Sequence, residues 1–196
     1  SYSDRYAANS QMGRVNYSYD SRYLLTLTAR RDGSSVFGSS TTKYGWFPSA
    51  AVGWNISQEQ FFKNATFVDN LKIRFSYGKT GNEALPVYKT ITSDGTVRFP
   101  FNGTSYIGTQ ASNLGNTNLH WETTVSSNLG IDFSLFKQRI SGTIDAYHSH
   151  TYGLLLNRGL PAITGYGAVY DNIGKTANKG LELTLNTRNI IMKDFR

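Results

Sequence analysis

Residues 121–136, "WETTVSSNLGIDFSLF", alternate between two kinds of side chain. The odd-numbered positions are apolar except for Thr123 and Ser127, whereas the even-numbered positions from Glu122 to Ser134 are polar or glycine. Because successive side chains of a β-strand point to opposite faces, this stretch predicts a strand with one apolar and one polar face. The strand is also long, since about 5–6 residues is usual in globular proteins.

The same alternation recurs along the chain and predicts an all-β protein of seven long strands. They cover roughly residues 11–19, 22–31, 44–56, 70–79, 121–136, 139–150 and 178–190. Pro48 lies on the apolar parity of the third strand and predicts an irregular spot there. Helical periodicity is confined to "SQEQFFKN", where Ser57 would cap a short helix and Gln60 would complete a capping box.

The connections between these strands alternate between short and long. The segments at 20–21, 57–69 and 136–139 are short or compact, whereas a loop of about a dozen residues from Asp32 and the segments 80–120 and 151–177 are long. Asp32 and Gly33 are interpreted as a turn pair. Asp94-Gly95 predicts a hairpin between "VYKTIT" and "TVRFPF". An antiparallel meander would place all the long connections at one end of the sheet.

Composition narrows the class of protein. The chain has 196 residues and no cysteine, which excludes disulfides, thiolate metal sites and a cysteine nucleophile. Charged residues make up 17%, below the roughly 25% of soluble domains. The net charge is +7, but the basic residues are scattered, so we expect no nucleic-acid partner. The absence of an apolar run of about 18 residues predicts no transmembrane helix.

Two classes of protein have strands with one apolar and one polar face. A soluble antiparallel sheet can bury one face, and a transmembrane β-barrel turns its apolar face to lipid and its polar face to the lumen. Strand length, one-sided long loops and aromatic residues near strand ends favour the barrel. The aromatic residues predicted to form girdles at the membrane interfaces are Trp46, Trp54, Tyr77, Trp121 and Phe133.

Several blocks, taken in order, resemble one family. They are "RYLLTLTARRDGSSVFG", "GWFPSAAVGWNISQEQFF", "LKIRFSYGKTGN", "LHWETTVSSNLGIDFSLFKQRISGTIDAYHSHTYGLLL" and "NIGKTANKGLELTLNT". This series, which spans about residues 12–191, resembles the SusC/RagA family of TonB-linked outer-membrane transporters. The blocks are strands and turns, so the resemblance is carried by their order and not by a catalytic motif.

The resemblance implies a barrel of about 22 strands closed by a plug. It implies import of oligosaccharides or peptides across the bacterial outer membrane, contact with outer-membrane lipid, energy supplied by TonB through the plug, and a SusD-like surface lipoprotein as partner. We expect residues 1–196 to be part of the barrel domain, cut at both ends, without signal peptide, plug or the remaining strands. The alternative is a soluble secreted β-sheet module that binds carbohydrate.

Two sets of residues are candidates for contact with solute or partner. The set expected to face the lumen comprises Arg30, Lys72, Arg74, Glu122, Asn128, Asp132, Asp145 and Glu182. The set expected in the outer loops, in contact with substrate or lid, comprises Phe99, Phe101, Tyr106, Tyr152, Tyr166 and Tyr170. The plainer interpretation of the first set is that a water-filled lumen requires polar side chains, which pair with one another. The plainer interpretation of the second set is packing between loops.

The sequence predicts no enzyme, no cofactor and no metal. His148 and His150 share a strand face, but a third ligand is not evident, and structural zinc usually has four. Glu122 and Asp132 would lie roughly 33 Å apart along one strand, far beyond the separation of a glycosidase pair. No Ser-His-Asp set, phosphate loop or nucleotide fingerprint is present in the sequence.

Overall fold

The computed structural model describes residues 4–38, 43–62 and 64–189. It consists almost entirely of antiparallel strands with three short 3₁₀ turns. The strands are β1 (Ala8–Tyr19), β2 (Tyr23–Ser34), β3 (Tyr44–Asn55), β4 (Val68–Asn82), β5 (Ser93–Phe101), β6 (Thr104–Asn113), β7 (Glu122–Leu135), β8 (Ile140–Gly159) and β9 (Ala168–Thr187). The described residues include no helix with the length and hydropathy that crossing a membrane requires.

Seven strands form one open sheet in the order β1-β2-β3-β4-β7-β8-β9, and every neighbouring pair is antiparallel. The predicted meander is therefore confirmed. β8 and β9 have 20 residues each and are much longer than predicted. Most of the segment 151–177, predicted to be a loop, is consequently strand.

The long segment between β4 and β7 contains a separate two-stranded sheet, β5-β6. The predicted hairpin around Asp94-Gly95 is wrong, because "TVRFPF" pairs with the strand that follows it and not with "VYKTIT". The turn is Asn102-Gly103, whose φ angles of 48° and 77° place both residues in the left-handed region. Asn-Gly favours this turn because neither residue is strongly penalised at positive φ.

The compact connection between β3 and β4 is not the predicted α-helix. It contains two 3₁₀ turns, Ile56–Gln58 and Gln60–Phe62. Ser57 does not cap a helix, since it lies inside the first turn and its hydroxyl donates to Asn70 Oδ1 at 3.3 Å. The tight turns at the same end of the sheet lack glycine: Asp20 and Ser21 form one, and residues 136–138, all at positive φ, form the other.

The sheet has an apolar face and a polar face, as the alternation predicts. On the apolar face Phe75, Leu129 and Leu183 are 45%, 48% and 67% exposed, because no other element of the described chain packs against them. The small apolar core lies instead among the long connections, where Val36, Phe37, Leu85 and Leu119 are buried.

This distribution is the reverse of a soluble sheet, which buries its apolar face. The apolar core instead orders the connections at one end of the sheet.

Candidate functional site on the polar face of the sheet

All eight residues predicted to face the lumen lie on the polar face. The register pairs Lys72 with Asp132, and Asp145 with Glu182, across neighbouring strands. Glu122 stands opposite Asn82 and accepts a long hydrogen bond of 3.4 Å from its amide. The structure thus brings these side chains to one surface, and their role in lining a solute path remains a prediction.

Arg74 is the centre of an ion network on this surface. Its Nη2 donates to Asp145 Oδ2 at 2.7 Å, and its Nε donates to Asp132 Oδ1 at 3.1 Å. Asn128 Nδ2 donates to the other oxygen of Asp145 at 2.8 Å. Gly130 leaves room for the guanidinium, since a Cβ there would come within 2.7 Å of Arg74 Nε. The network joins β4, β7 and β8 and fixes four polar side chains in place.

A depression of about 310 Å³ opens near the end of the polar face that carries the long connections. Arg30 and Asp32 form an ion pair in its wall, and Asp32 also accepts from Ser10 Oγ at 2.6 Å. Asp32 is 7% exposed and lies within β2, so its interpretation as a turn residue is wrong. Its place on the polar face could have been predicted from its position two residues after Arg30 in the same strand, since such residues share a face.

Asn82, Glu83 and Trp121 line the same depression. The Tyr6 hydroxyl donates a hydrogen bond to Glu83 Oε1. Glu83 Oε2 is buried and has no hydrogen-bond partner among the described residues. The sequence did not single out Asn82 or Glu83, because they follow the last alternating residues of β4. An aromatic ring beside carboxylate and amide groups can bind the hydroxyls or amides of a polar solute.

Three of the predicted outer-loop aromatics form a cluster on one face of the β5-β6 hairpin, here called the aromatic ledge. Phe99 and Tyr106 are stacked with ring centroids 6.1 Å apart, and Phe101 meets Tyr106 edge-on at 6.3 Å. All three are well exposed, at 47–68%. Exposed, adjacent rings of this kind suit stacking on a solute or on a partner protein.

The other three predicted loop aromatics do not share this setting. Tyr152 lies within β8, on the parity of the apolar face, and stacks on His150 with centroids 4.4 Å apart. Tyr170 lies within β9, packs against the small core and carries Lys89 Nζ 5.7 Å from its ring centroid. The predicted loop position of these two residues is wrong, because β8 and β9 extend through it. Tyr166 lies in the turn between β8 and β9.

Four of the five predicted girdle residues lie on the apolar face. Trp46 is near the end with the long connections, and Trp54 and Phe133 are near the end with the short turns. Tyr77 lies at mid-strand, opposite Ala50 and Ser127. Trp46 and Trp54 are about 26 Å apart along β3 at roughly 3.3 Å per residue, which is about 20 Å along the axis of a barrel with strands tilted by about 40°, compared with a band height of ~25 Å. The assignment of these residues to membrane girdles stays a prediction.

Trp121 is different, and its predicted place on the apolar face is wrong. It precedes β7, so strand alternation does not fix its direction. Its ring packs against Phe37 and Phe47, with centroids 5.2 and 5.5 Å away, and its Nε1 donates to the Lys43 carbonyl at 3.2 Å. Trp121 therefore anchors the connections over the polar face.

Glu59, in the compact turn after β3, holds the side chains of Tyr23 and Trp54 in place at the end of the sheet with the short turns. It accepts hydrogen bonds from the Tyr23 hydroxyl at 2.7 Å, from Trp54 Nε1 at 3.1 Å and from Arg22 Nη1 at 3.2 Å. The hydrogen bonds from Tyr23 and Trp54 hold the pKa of Glu59 below its usual range.

The described residues contain no group of three or more histidine, cysteine, aspartate or glutamate side chains arranged to hold a metal ion. His148 and His150 face the same side with ring centroids 6.3 Å apart. The second ring is stacked on Tyr152, which supplies no good metal ligand.

Comparison with known proteins identifies the family. The TonB dependent receptor-like β-barrel model matches residues 1–196. A TonB-dependent receptor of Formosa agariphila is 41% identical over 186 residues, which cover 95% of this chain and 18% of the relative. The TonB-dependent receptor SusC of Bacteroides thetaiotaomicron is 39% identical over 202 residues, 99% of this chain and 20% of SusC. The chain spans about a fifth of the length of these relatives.

Solved structures show the same architecture. The RagAB peptide importer in its closed-closed state superposes with a TM-score of 0.86 at 29% identity, over 96% of this chain and 20% of that one. The siderophore receptor PirA of Pseudomonas aeruginosa, at 18% identity and a TM-score of 0.60, covers 91% of this chain and 30% of its own and shares the fold. By its complete family match, its near-40% relatives and this geometry, the chain belongs to the TonB-dependent receptor β-barrel family, of the SusC and RagA type.

Proposed function

We propose that residues 1–196 form part of the barrel wall of a TonB-dependent transporter that imports oligosaccharides or peptides across the bacterial outer membrane. The observation that carries this proposal is the uncovered apolar face backed by a polar face with a fixed ion network. A lipid-facing barrel wall requires that arrangement, whereas a soluble carbohydrate-binding module would have to cover Phe75, Leu129 and Leu183.

The polar side chains divide into two groups by position. The Arg74 network joins the middle of β4 to the parts of β7 and β8 that are nearer the short turns, where it stiffens the wall. The depression between Arg30 and Trp121 lies near the long connections, which in outer-membrane barrels are the extracellular loops. Solute arriving from outside would meet this depression before the Arg74 network. Substitutions in the depression should therefore reduce solute uptake, whereas substitutions in the Arg74 network should reduce the stability of the barrel.

We further propose that the aromatic ledge contacts the imported solute or a SusD-like surface lipoprotein. Its support is the exposure of the three rings and their position on a hairpin that leaves the main sheet. A second apolar contact is Ile163, which is 96% exposed in the turn between β8 and β9. The likeness to the RagAB peptide importer supports a peptide, and the identity to SusC supports membership in the same transporter type.

The test uses the full-length receptor in its own bacterium. Replacing Phe99, Phe101 and Tyr106 by alanine should weaken solute uptake by roughly tenfold or more, since each stacked ring contributes about 0.5–1.5 kcal/mol. Growth on defined oligosaccharides and on defined peptides, each as the limiting nutrient, then names the substrate class. Unchanged growth on every nutrient that supports the wild type would contradict a role of the ledge in solute binding.

The matched control removes three exposed phenylalanines from the opposite end of the sheet: Phe61, Phe67 and Phe136. This control should leave uptake unchanged. A photo-crosslinking residue at Tyr106 or Tyr166 should give an adduct with the surface lipoprotein, whereas the same residue at Phe61 should give none. Absence of an adduct at both tyrosines would contradict the partner contact.

A further inference from the structure

The apolar face changes character abruptly toward the end with the long connections. Across β4, β7, β8 and β9, the register aligns Phe75 with Leu129, Ala146 and Leu181, a row with no charged residue. Each of the next three rows toward the long connections contains a lysine. Lys179 lies in the first of them beside His148, Lys79 in the second and Lys175 in the third. All of these residues share the parity of the apolar face.

Arg31 adds a fourth permanent cation to this face at the same end of the sheet. It pairs with Trp46 across β2 and β3, and its guanidinium carbon lies 4.1 Å from the centroid of the Tyr44 ring. Arg31 Nε has no hydrogen-bond partner among the described residues. We call Arg31, Lys79, Lys175 and Lys179 the basic rim.

The basic rim has no counter-charge on its own face. From the row of Tyr77 up to the row of Tyr152 and Lys175, the apolar-face positions of the described strands β1 to β4 and β7 to β9 carry no aspartate or glutamate. Beyond the register shifts that follow, Asp171 is already paired with Arg158. None of the four rim side chains forms an ion pair with a described residue. Lys175 and Lys179 are exposed, and Lys79 is half-buried.

Four unpaired cations directly above an apolar band fit one chemical class of ligand. We propose that the basic rim binds the phosphorylated headgroup of an outer-leaflet lipid, whose acyl chains lie on the apolar rows of Phe75 and Ile73 below. A lysine stem can follow the apolar surface while its ammonium reaches the phosphate. Each such cation near an anionic lipid surface strengthens binding about fivefold.

The choice of a lipid over another ligand follows from continuity with the apolar face. A soluble anion would need only the cations, whereas on this surface the row that ends in Lys179 directly adjoins the uncharged apolar rows of Phe75 and Ile73. A protein partner would need carboxylates and also an apolar surface that could reach down into the bilayer. The inference rests on the proposed function only in that the apolar face meets lipid.

The experiment uses the full-length receptor purified in detergent, with lipid binding measured by native mass spectrometry. The probes are an acylated disaccharide with two phosphates and the same lipid with the phosphates removed; inorganic phosphate is the competitor. Wild-type protein should prefer the phosphorylated lipid. The variant K79Q/K175Q/K179Q should bind it on the order of 100-fold more weakly and bind the phosphate-free lipid unchanged.

The control removes the same charge from the other end of the sheet, as K137Q/R139Q/R188Q, and should keep wild-type lipid binding. Equal wild-type affinity for the two lipids, or an equal loss in the control, would overturn the inference. Binding of inorganic phosphate in place of the lipid, weakened by the same three lysine substitutions, would also overturn the inference. Folding of the triple variant is checked by the gel mobility of unheated samples. If it does not fold, the single variants K175Q and K179Q replace it, and each should weaken lipid binding about fivefold.

Solute uptake separates this inference from the proposed function. Retained lipid selectivity in a receptor that imports no oligosaccharide or peptide would contradict the proposed function alone. Normal import by a receptor without lipid selectivity would contradict the basic rim alone.

Discussion

Replacing Arg74 by methionine should destabilise the barrel wall by about 2 kcal/mol. The guanidinium holds Asp145 at 2.7 Å and Asp132 at 3.1 Å, and all three side chains are partly shielded, with 34%, 17% and 26% of their surface exposed. Loss of a partner from an exposed pair costs about 0.2–1 kcal/mol, and from a buried pair about 3–5 kcal/mol, so a one-third-exposed arginine lies between. Methionine keeps most of the stem but leaves two neighbouring carboxylates without their cation.

The measurement is equilibrium unfolding in urea of the full-length receptor in lipid vesicles, read by the mobility of unheated samples on gels. Adding Asp145→Asn to Arg74→Met should restore about 1 kcal/mol, because it removes one of the two uncompensated charges. Arg98→Met, on the exposed hairpin strand β5, is the matched control and should have little effect. If Arg74→Met is no more harmful than Arg98→Met, or if the second substitution restores nothing, the network does not stabilise the wall.

Four further substitutions test other parts of the structure. Because its pKa is lowered on folding, Glu59 stabilises the turn above the ordinary glutamate pKa of about 4.3, and this contribution is lost as the pH falls through the lower folded pKa; Glu59→Gln should flatten the acid limb of a stability–pH curve. Gly103→Val, at φ 77°, should destabilise the β5-β6 hairpin by about 1–3 kcal/mol and expose it to protease, whereas the ion network survives. Leu183→Arg on the apolar face should cost about 2–4 kcal/mol in vesicles if that residue is near the bilayer midplane, and much less if it faces water. Phe37→Ala should cost about 3–5 kcal/mol locally, seen as faster amide exchange in the long connections before global unfolding.

The strands that sequence reasoning located best are those whose two faces differ along their whole length. β7 was predicted at 121–136 and runs from Glu122 to Leu135, because its two faces differ in polarity along the strand and no charge falls on the apolar face. The start of β9 was missed for the opposite reason: Lys175 and Lys179 occupy apolar-face positions and remove the alternation. The end of β8 was hidden by Leu154–Leu156, where register shifts place successive leucines out of phase.

The sequence predicts which residues lie on the polar face of the sheet, but not which of them contact one another. Parity alone placed Arg74, Asp132 and Asp145 together, although they come from three strands up to 71 positions apart. Parity could not place Trp121, which lies just outside a strand, or choose Asn102-Gly103 over Asp94-Gly95 as the hairpin turn, since both dipeptides favour turns. Those outcomes depend on packing between segments distant in sequence.

The register shifts in β8 at residues 152–155 divide a very long hairpin into two parts. At about 3.3 Å per residue, the part between Tyr152 and Gly159 reaches roughly 23 Å past the shift. A bulge bends and twists its strand locally, so it can serve as a pivot. By that length, a rotation of about 10° there would swing the tip near Ile163 by roughly 4 Å. A small adjustment at the register shift would thus be magnified into a displacement of several ångströms at the tip of the hairpin.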